Sequence, residues 1–414
     1  MDKKKIIIIG GGFAGLQLAR KLNNKAFDVM LIDKLNHHQF QPLFYQVATA
    51  RLEPANISFP FRKIFQRSHN IQIRLAEAKN ILPDKNILET SEGRFKYDYL
   101  VIASGCKTNF FGNEQLSRNA FSMKTTPESI HMRNEILLNF EKFICSTKEE
   151  QEALLNIVIV GAGPTGVELA GAFAEMKKHI LPKDYPHIDF SGLTITILEG
   201  SKNTLNSMST ESQQASRRYL EKMGVRIKTE VFVTDYDGTT VSINNGESIK
   251  SKTVIWAAGV IGNVIEGLAP NSMLRNRYIV DRQNKLVNYD NIYAIGDIAN
   301  MSTPKYPNGH PQLANVAINQ GKNLAKNFLA MQKGNSLTEY EYKDLGSMAT
   351  IGKYKAVVDL PGIKFHGILA WFIWMFLHLM LILSVRNKFL TFVNWTWNFI
   401  AKDSSLRLIF KSVR

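Results

Sequence analysis

The sequence predicts an α/β fold with two Rossmann-like units, because one arrangement of strand, glycine turn and helix occurs twice. The first copy is IIIIGGGFAGLQLA at residues 6–19, and the second is NIVIVGAGPTGVELAG at residues 156–171. Each copy is followed by a second apolar strand that ends in an acidic residue, Asp33 or Glu199. Strand, tight turn, helix and strand in this order are typical of a βαβ unit, and the chain contains two of them.

Length and composition indicate a multidomain protein from a reducing compartment. A chain of 414 residues is too long for one core and predicts two or three domains. The two cysteines, Cys106 and Cys145, lie far apart and argue against a disulfide scaffold. The formal charge of +15 favours a polyanionic partner, either nucleic acid or an anionic membrane surface. The basic N-terminus precedes only four apolar residues, so we interpret it as a strand rather than a signal peptide.

In the first unit, a β-branched strand leads into a G-x-G-x-x-G turn. The first glycine permits the tight turn, the second lets backbone N–H groups approach a phosphate, and the third lets helix pack on strand. The positive end of the helix dipole then faces a pyrophosphate. An acid 18 residues after the third glycine is placed to bind ribose hydroxyls. The residues predicted to bind this first dinucleotide are Gly10, Gly12, Phe13, Ala14, Gly15, Asp33, Lys34 and Gly105.

The second unit repeats this pattern after the strand Asn156–Val160. Its acid follows the third glycine by 33 residues, because the insertion KKHILPKDYPHIDFSG separates the helix from the second strand. A single G-x-G-x-x-G is a weak signal, whereas two copies framed by strand, helix, strand and acid are a strong one. The residues predicted to bind the second dinucleotide are Gly161, Gly163, Pro164, Thr165, Gly166, Glu199 and Gly259.

The similarity of the two units extends beyond the glycine turns. A strand ending in Gly105 lies 95 residues after Gly10, and a strand ending in Gly259 lies 98 residues after Gly161. Within each interval, short alternating strands surround a glycine turn. The chain is therefore predicted to contain two homologous dinucleotide-binding domains, each with a βαβ half and a small meander.

These features resemble the two-dinucleotide-binding-domain flavoproteins, a superfamily that holds FAD in the first unit and a nicotinamide nucleotide in the second. The resemblance implies that the second domain is inserted in the first, and that the chain returns to the flavin through a strand ending in Gly-Asp. The segment NIYAIGDIAN supplies Gly296 and Asp297, and Asp297 is expected to contact FAD. We expect a discontinuous FAD-binding domain, an NADH-binding domain and a C-terminal membrane-attachment region, at residues 1–115 with 265–335, 116–264 and 336–414.

Four longer segments narrow this resemblance. NHHQFQPLFYQVATA, GAGPTGVELAGAFAEM, PQLANVAINQGKNLAKN and GSMATIGKYKAVVDLPG together are similar to type II NADH dehydrogenase, the single-subunit NADH:quinone oxidoreductase. Disulfide reductases of the superfamily need two cysteines close in sequence, and this sequence has none. The resemblance implies hydride transfer from NADH to non-covalent FAD, then two-electron reduction of a membrane quinone without proton pumping.

Within this scheme, Glu168 is the catalytic candidate. It lies at the start of the second phosphate-binding helix, where the helix dipole favours an acid, and the resemblance implies a place between nicotinamide, flavin and quinone. Glu199 favours NADH over NADPH, since a carboxylate repels a 2′-phosphate. Asn315, where the family commonly carries Gln beside the flavin, is the quinone-site candidate. His37 and His38 lack a matching carboxylate cluster, so we predict packing at a loop or flavin edge and no metal site.

The C-terminal region predicts membrane attachment through helices. Residues 365–385 carry no formal charge and by hydropathy are long enough for one transmembrane helix. The next segment is predicted to form an amphipathic helix that lies in the membrane interface, with its aromatic faces in lipid and basic residues near anionic headgroups. The resemblance implies monotopic attachment by both helices, on the cytoplasmic face of the inner membrane, and we favour this over a spanning helix. The predicted polar stripe of this second helix comprises Asn387, Thr391, Asn394, Asn398 and Lys402.

Other functions remain open from the sequence. They are a sulfide:quinone oxidoreductase, an NADH oxidase with a soluble acceptor, and an NADH-binding flavoprotein scaffold that regulates partners. Nucleic-acid binding is disfavoured because the basic residues are dispersed and no aromatic platform accompanies them. The sequence does not choose between ubiquinone and menaquinone, and it leaves a homodimer through the tail open.

Overall fold

The computed structural model describes residues 3–401 and 406–410. Strands and helices alternate in the two βαβ units, whereas other stretches consist of successive strands. The strands are Lys4–Ile9 (β1), Phe27–Asp33 (β2), His37–Gln39 (β3), Ser58–Pro60 (β4), Ile71–Leu75 (β5), Ala78–Leu82 (β6), Ile87–Thr90 (β7), Gly93–Lys96 (β8), Tyr99–Ile102 (β9), Cys106–Thr108 (β10), Asn156–Val160 (β11), Thr194–Glu199 (β12), Val225–Thr229 (β13), Val233–Tyr236 (β14), Thr240–Ile243 (β15), Ser248–Lys250 (β16), Thr253–Trp256 (β17), Val260–Gly262 (β18), Met273–Leu274 (β19), Arg277–Ile279 (β20), Ile292–Ala294 (β21), Ala299–Asn300 (β22), Ser347–Gly352 (β23), Lys355–Leu360 (β24) and Ile363–His366 (β25). The helices are Phe13–Leu22 (α1), Phe44–Ala48 (α2), Phe61–Ile64 (α3), Glu114–Asn119 (α4), Thr126–Cys145 (α5), Lys148–Leu155 (α6), Pro164–His179 (α7), Leu181–Asp184 (α8), Thr210–Lys222 (α9), Ala314–Gln332 (α10), Ile368–Leu381 (α11) and Val385–Ala401 (α12).

The chain divides into two compact units, each assembled from separate segments. Unit 1 comprises Met1–Gln39, Phe59–Lys107 and Val260–Lys343, and unit 2 comprises Phe40–Ser58, Thr108–Gly259 and Asp344–Arg414. The predicted insertion of the second Rossmann-like unit in the first is therefore present. The units differ from the predicted domains in two respects, since residues 40–58 and the C-terminal region both group with unit 2. The nucleotide that each unit binds remains a prediction.

Unit 1 contains a five-stranded sheet with the order β21-β9-β1-β2-β5. Its central strand β1 pairs in parallel with β2 and β9, so that Ile8 is level with Leu31 and Val101. The isoleucines of β1 are almost completely buried, as expected for a parallel strand with both faces covered. The predicted meander forms from β6, β7 and β8. Helix α10 packs directly on α1, because a Cβ at Gly321 would lie only 2.5 Å from the carbonyl oxygen of Ala14.

Unit 2 repeats this architecture with a parallel sheet of order β13-β12-β11-β17 and a meander of β14, β15 and β16. Strand β11 is level with β12 from Asn156 to Val160. Helix α7 packs closely on β23, since a Cβ at Gly171 would lie 1.7 Å from the carbonyl oxygen of Ile351. In each unit, therefore, a glycine outside the turn motif lets a helix approach neighbouring backbone closely. This glycine is Gly321 of α10 in unit 1 and Gly171 of α7 in unit 2.

The C-terminal part of unit 2 forms an antiparallel sheet, β23-β24-β25, followed by α11 and α12. The uncharged segment is therefore not one helix, because Phe365 and His366 belong to β25 and Gly367 precedes α11. Of the helices in the described residues, none is both long enough and apolar enough to cross a membrane. Lys402, the last position of the predicted polar stripe, lies outside the described residues.

Candidate functional site

The first glycine turn has the geometry that its spacing predicts. Gly10 has φ +99°, and a Cβ there would lie 2.3 Å from the carbonyl oxygen of Ala103. A Cβ at Gly15 would lie 1.9 Å from the carbonyl oxygen of Gly10. A Cβ at Gly12 would meet no atom within 4 Å. The first and third glycines are therefore required by the fold itself, whereas the second borders open space in which a phosphate fits.

Asp33 is held at the end of β2 by the same turn. Its Oδ2 accepts a hydrogen bond from the Gly11 N–H at 2.6 Å, and its Oδ1 accepts one from the Leu35 N–H at 2.8 Å. Burial raises the pKa of Asp33, while these two N–H groups and the nearby charge of Lys34 act in the opposite direction. Each carboxylate oxygen retains a lone pair, so the group can still accept hydrogen bonds from two ribose hydroxyls.

His38 packs on the first turn, in agreement with the predicted packing role. Its Nδ1 lies 3.0 Å from the Gly11 carbonyl oxygen, and its ring meets Phe13 edge to face at 5.3 Å between centroids. Burial lowers the pKa of His38 to about 4. At neutral pH the ring is therefore uncharged. His37 instead lies beside Asn36, with 2.8 Å between its Nδ1 and the Asn36 Oδ1.

The predicted return strand reaches the first turn through Gly296. Gly296 has φ +77° and its Cα faces the side chain of Ala14, so that a Cβ there would lie 3.1 Å from the Ala14 Cβ. The Gly296 N–H donates to Gln320 Oε1 at 2.7 Å. Gln320 lies in α10 and was not predicted from the sequence, where it is one polar residue among many in a long helix.

Asp297 and Asn315 are also fixed by contacts within unit 1. The Cys106 thiol donates to Asp297 Oδ2 at 3.1 Å, and Gln312 Nε2 donates to the Asp297 carbonyl oxygen at 3.1 Å. Asn315 lies in the first turn of α10, where its Oδ1 accepts a hydrogen bond from Asn319 Nδ2 at 2.7 Å. The amide that the resemblance assigns to a quinone site is thus engaged by its own helix.

The second glycine turn has a backbone conformation and close contacts similar to those of the first. Gly161 has φ +103°, and a Cβ there would lie 2.8 Å from the Ala257 carbonyl oxygen. A Cβ at Gly166 would lie 1.9 Å from the Gly161 carbonyl oxygen, whereas Gly163 again borders open space. Gly259, at φ +91°, ends the loop after β17.

Glu199 occupies the position that Asp33 has in the first unit. Its Oε2 accepts from the Ala162 N–H at 2.5 Å, and its Oε1 accepts from the Ser201 N–H at 2.7 Å. Pro164 and Thr165 open helix α7 and are exposed to solvent. The residues predicted for the second dinucleotide therefore form one group, with a free helix N-terminus next to a positioned carboxylate.

A separate cavity of about 150 Å³ lies within unit 2. It is formed where α7 meets the segment around α2, the sheet β23–β24 and the two C-terminal helices. Its walls combine aromatic side chains with a few polar and charged groups. The lining residues are Tyr45, Gln46, Arg51, Glu168, Ala172, Glu175, His179, Ile180, Thr350, Gly352, Lys353, Trp371, Trp374, Met375, Trp395, Asn398 and Phe399.

Glu168, the predicted catalytic residue, lines this cavity and is only 8% exposed. Burial raises the pKa of Glu168 to about 8, and the Thr350 N–H, 3.4 Å from Glu168 Oε1, acts in the opposite direction. The Trp374 indole N–H also lowers this pKa. It forms no hydrogen bond of standard geometry within the described residues. Glu168 therefore carries a proton at neutral pH, inside a cavity with aromatic walls.

Polar contacts hold the cavity wall in place. The Trp395 indole N–H donates to Gln46 Oε1 at 2.7 Å, and Gln46 Nε2 donates to the Tyr45 hydroxyl at 3.0 Å. Arg51 pairs with Glu175 at 2.5 Å. These residues were not predicted individually, although Tyr45, Gln46 and Arg51 lie in or next to the quoted segment NHHQFQPLFYQVATA. Their convergence with Trp395 depends on long-range folding, which sequence patterns do not report.

Helix α12 is amphipathic as predicted, with most of its apolar side chains exposed and its polar stripe on the opposite side. The polar stripe of α12 faces unit 2, because Asn387 and Thr391 are buried and Asn398 Nδ2 donates to the Arg51 carbonyl oxygen at 2.9 Å. Trp395, predicted to face lipid, is buried against the same surface. The helices also supply cavity walls, so the tail is part of unit 2 and not only an anchor. Their exposed apolar side chains are Ile368, Leu369, Phe372, Phe376, Met380, Leu381, Val385, Phe389, Phe392, Val393, Trp397 and Ile400.

Comparisons with known proteins agree with this geometry. A family model described as pyridine nucleotide-disulphide oxidoreductase matches residues 4–321, and one described as the NDH2 C-terminal domain matches residues 345–402. The solved structure of NDH2 from Plasmodium falciparum in complex with NADH has a TM-score of 0.92 at 22% identity. This match covers 99% of the present chain and 100% of the other, and it shows a shared fold.

Closer relatives are found in Mycobacterium tuberculosis. The chain is 33% identical over 419 residues to the type II NADH:quinone oxidoreductase Ndh, covering 96% of this chain and 89% of the relative. It is 34% identical over 421 residues to NdhA, which has the same description, covering 97% and 88%. These matches confirm the resemblance that the four long segments predicted. The chain belongs to the type II NADH:quinone oxidoreductase family.

Proposed function

We propose that this protein is an FAD-dependent NADH:quinone oxidoreductase. In this proposal it oxidises NADH through non-covalently bound FAD and reduces a membrane quinone by two electrons, without proton pumping. The observation that supports it most strongly is the pair of matched carboxylates. Asp33 and Glu199 each end a strand and each accept one N–H bond from a glycine turn and one from the residue two positions on. This arrangement, present twice, suits one chain to two dinucleotides.

We assign FAD to unit 1 on the fit of its residues. The open space at Gly12 accommodates the pyrophosphate, and Asp33 retains lone pairs for ribose hydroxyls. Gly296 brings the backbone of the return strand close to Ala14, with Asp297 next in sequence. Bound FAD supplies the two-electron transfer chemistry that no protein side chain provides. The protein residues bind it and fix its orientation.

We assign NADH to unit 2. Gly163 and the exposed start of α7 face the pyrophosphate, and Glu199 accepts hydrogen bonds from the adenosine ribose. A 2′-phosphate would place a second negative charge beside this carboxylate, which is the basis of the preference for NADH over NADPH.

We assign the quinone headgroup to the cavity around Glu168. A quinone is a flat, largely apolar ring with two carbonyl oxygens, and the cavity offers aromatic walls with a small number of polar groups. Reduction to quinol requires protons. Glu168 holds one at neutral pH because its pKa is raised to about 8, so it is suited to act as a general acid.

We also propose that the protein attaches to the cytoplasmic face of the inner membrane through α11 and α12. The exposed side chains of these helices are mostly apolar and aromatic, and such a surface favours burial in a bilayer interface. This surface belongs to the same helices that line the cavity. A lipid-soluble quinone would therefore enter from the lipid side.

One assay separates this function from the alternatives. For purified protein in detergent, NADH oxidation is followed by its absorbance with a short-chain quinone or with oxygen as the acceptor, and quinone reduction is followed with sulfide as the donor in place of NADH. We expect quinone-dependent NADH oxidation and a flavin released by acid as FAD. Oxidation of sulfide in place of NADH, oxidation of NADH by oxygen alone, or binding without turnover would each replace this proposal with another one.

A further inference from the structure

Phe232 is an exposed aromatic residue that lies against Gly200, beside the acid of the second unit. It is 60% exposed and lies in the loop between β13 and β14. Its ring covers Gly200, the residue after Glu199, because a Cβ at Gly200 would lie 2.5 Å from the ring carbon Cε1. The ring thus has one side on the backbone that follows the ribose-binding acid. Much of its surface is open to solvent.

The backbone around Phe232 is held firmly, so its exposure does not result from a loose loop. Glu230 has φ +60°, which turns the chain sharply after β13. The Val231 N–H donates to the Glu199 carbonyl oxygen at 3.1 Å, and the Glu230 N–H donates to the Ser201 carbonyl oxygen at 3.1 Å. Backbone hydrogen bonds therefore join the loop to Glu199 and Ser201, the residues on both sides of Gly200.

The far side of the loop is fastened as well. The Phe232 N–H donates to Asn244 Oδ1 at 2.8 Å, and the Asn244 N–H donates to the Phe232 carbonyl oxygen at 2.9 Å. A large apolar side chain on such a rigid loop has little reason to face water for folding. What sets Phe232 apart from other exposed apolar residues is its position, since this rigid loop holds the ring against Gly200, next to Glu199.

We propose that Phe232 is the platform on which the adenine ring of NADH stacks. This inference rests on the proposed function, in which Glu199 binds the adenosine ribose. Adenine is bonded to that same ribose, so a base beside Glu199 lies next to the loop that carries Phe232. Stacking of a base on an aromatic side chain is insensitive to base identity, and its loss weakens binding about 5- to 150-fold.

The experiment compares ligands with and without adenine on the full-length protein. Isothermal titration gives the dissociation constant of ADP-ribose, which carries adenosine and pyrophosphate but has no redox activity. We expect Phe232→Ala to weaken ADP-ribose binding about tenfold and Phe232→Tyr to retain it. Steady-state kinetics with reduced nicotinamide mononucleotide, which lacks adenine, should be unchanged in Phe232→Ala, whereas the KM for NADH rises about tenfold.

Two further variants keep the test independent of folding. Ile144→Ala removes an exposed apolar side chain on α5 and should leave ADP-ribose affinity unchanged. Gly200→Ala should displace the Phe232 ring and weaken ADP-ribose binding, but should add nothing to Phe232→Ala because the ring is then already absent.

Equal ADP-ribose affinity in the wild type and in a folded Phe232→Ala variant would overturn the proposal that adenine stacks on Phe232. So would an equal loss of catalytic efficiency with NADH and with reduced nicotinamide mononucleotide. Failure of the proposed function has a different signature. Wild-type protein would then not oxidise NADH with quinone, while the effect of Phe232→Ala on ADP-ribose binding would still be measurable.

Discussion

The two glycine turns of this protein share one backbone but differ in what covers them. In both, the first glycine has positive φ, the third touches the carbonyl oxygen of the first, and an acid accepts two N–H bonds. In the first turn a phenyl ring, that of Phe61, lies where a Cβ at Gly11 would be and is 0% exposed. In the second unit the Phe232 ring covers Gly200, the residue after the acid, and it is 60% exposed.

This difference matches the roles that we propose for the two units. A turn enclosed by Phe61 and His38 is suited to a resident cofactor, because its walls are part of the core whether or not the site is filled. A turn with an exposed ring and an exposed helix start is suited to a nucleotide that enters and leaves in each cycle. The same glycine motif is therefore suited either to a resident cofactor or to an exchanging nucleotide, depending on the elements that surround it.

The largest difference is expected between Phe61→Ala and Phe232→Ala in stability. Phe61 is completely buried, so its truncation should reduce the free energy of unfolding by about 3–5 kcal/mol. Phe232 is mostly exposed, and its truncation should cost less than about 1 kcal/mol. Urea denaturation followed by circular dichroism measures both. Equal losses would show that the two rings have the same structural role and would remove the contrast between the turns.

The next contrast is between Gln17 and Glu168, which each lie two residues after the third glycine of their turn. Glu168→Gln makes the second unit resemble the first at this position. We expect quinone-dependent turnover to fall about 100-fold, because the cavity loses its proton donor. Binding of ADP-ribose should not change. Steady-state kinetics measures the turnover and isothermal titration measures the binding, and the exposed Glu221→Gln on α9 is the control.

The pH dependence provides a second check on Glu168. The folded protein keeps its proton up to a pKa of about 8, whereas an ordinary glutamate has 4.5. The unfolded chain therefore releases this proton first, and the free energy of unfolding should fall as pH rises from about 4.5 through about 8. Glu168→Gln should remove this fall. If the variant and the wild type show the same pH profile of stability, the carboxyl is not protonated as proposed.

Glu199 and Asp33 have equivalent hydrogen bonds but lie in different units. Neutralising one carboxylate should therefore leave the other site intact. Glu199→Gln should reduce the preference of kcat/KM for NADH over NADPH about tenfold, since a repulsion of about 1.4 kcal/mol is removed. The flavin content should remain that of the wild type, because Asp33 lies in unit 1. Comparable wild-type rates with both donors would show that Glu199 does not distinguish the ribose.

The smallest effect is expected at the exposed apolar surface of α12 that we propose binds the membrane. Trp397 is exposed, and Trp397→Ala should weaken binding to anionic phospholipid vesicles about fivefold. This corresponds to about 1 kcal/mol of interfacial burial, less than the 1.5–3 kcal/mol of full burial of a large apolar side chain. Vesicle sedimentation measures it, with Leu274→Ala in unit 1 as the control. An unchanged affinity would place the membrane contact elsewhere.

Much of the fold and of the two proposed nucleotide sites is predictable from the sequence. The glycines, the acids and the parallel strands lie close together along the chain, and their spacing reports backbone geometry directly. Glu168 was predicted as a catalytic residue from its position near the start of the second phosphate-binding helix together with the family resemblance, and this role stays a prediction. The structure of residues 365–385 is not predictable from hydropathy, because hydropathy does not show that Gly367 separates a strand from a helix.

The cavity around Glu168 was not predictable, because its walls come from segments far apart in sequence. Gln46 and Trp395 form a direct hydrogen bond across 349 positions, and no local period indicates such a contact. The polar stripe of α12 illustrates the same limit. Its period predicts that polar and apolar side chains lie on opposite faces, but it does not state which face meets the protein and which meets lipid.

The sequence by itself determined the two βαβ units, their glycine turns and their terminal acids, because steric limits on backbone and the dipole of a helix act over a few residues. The tertiary structure alone decided which groups are buried together. It raised the pKa of Glu168 by removing water from around the carboxyl, directed the polar side of α12 inward, and left Phe232 exposed beside Gly200. Burial depends on the whole chain, and it is burial that distinguishes the two similar turns.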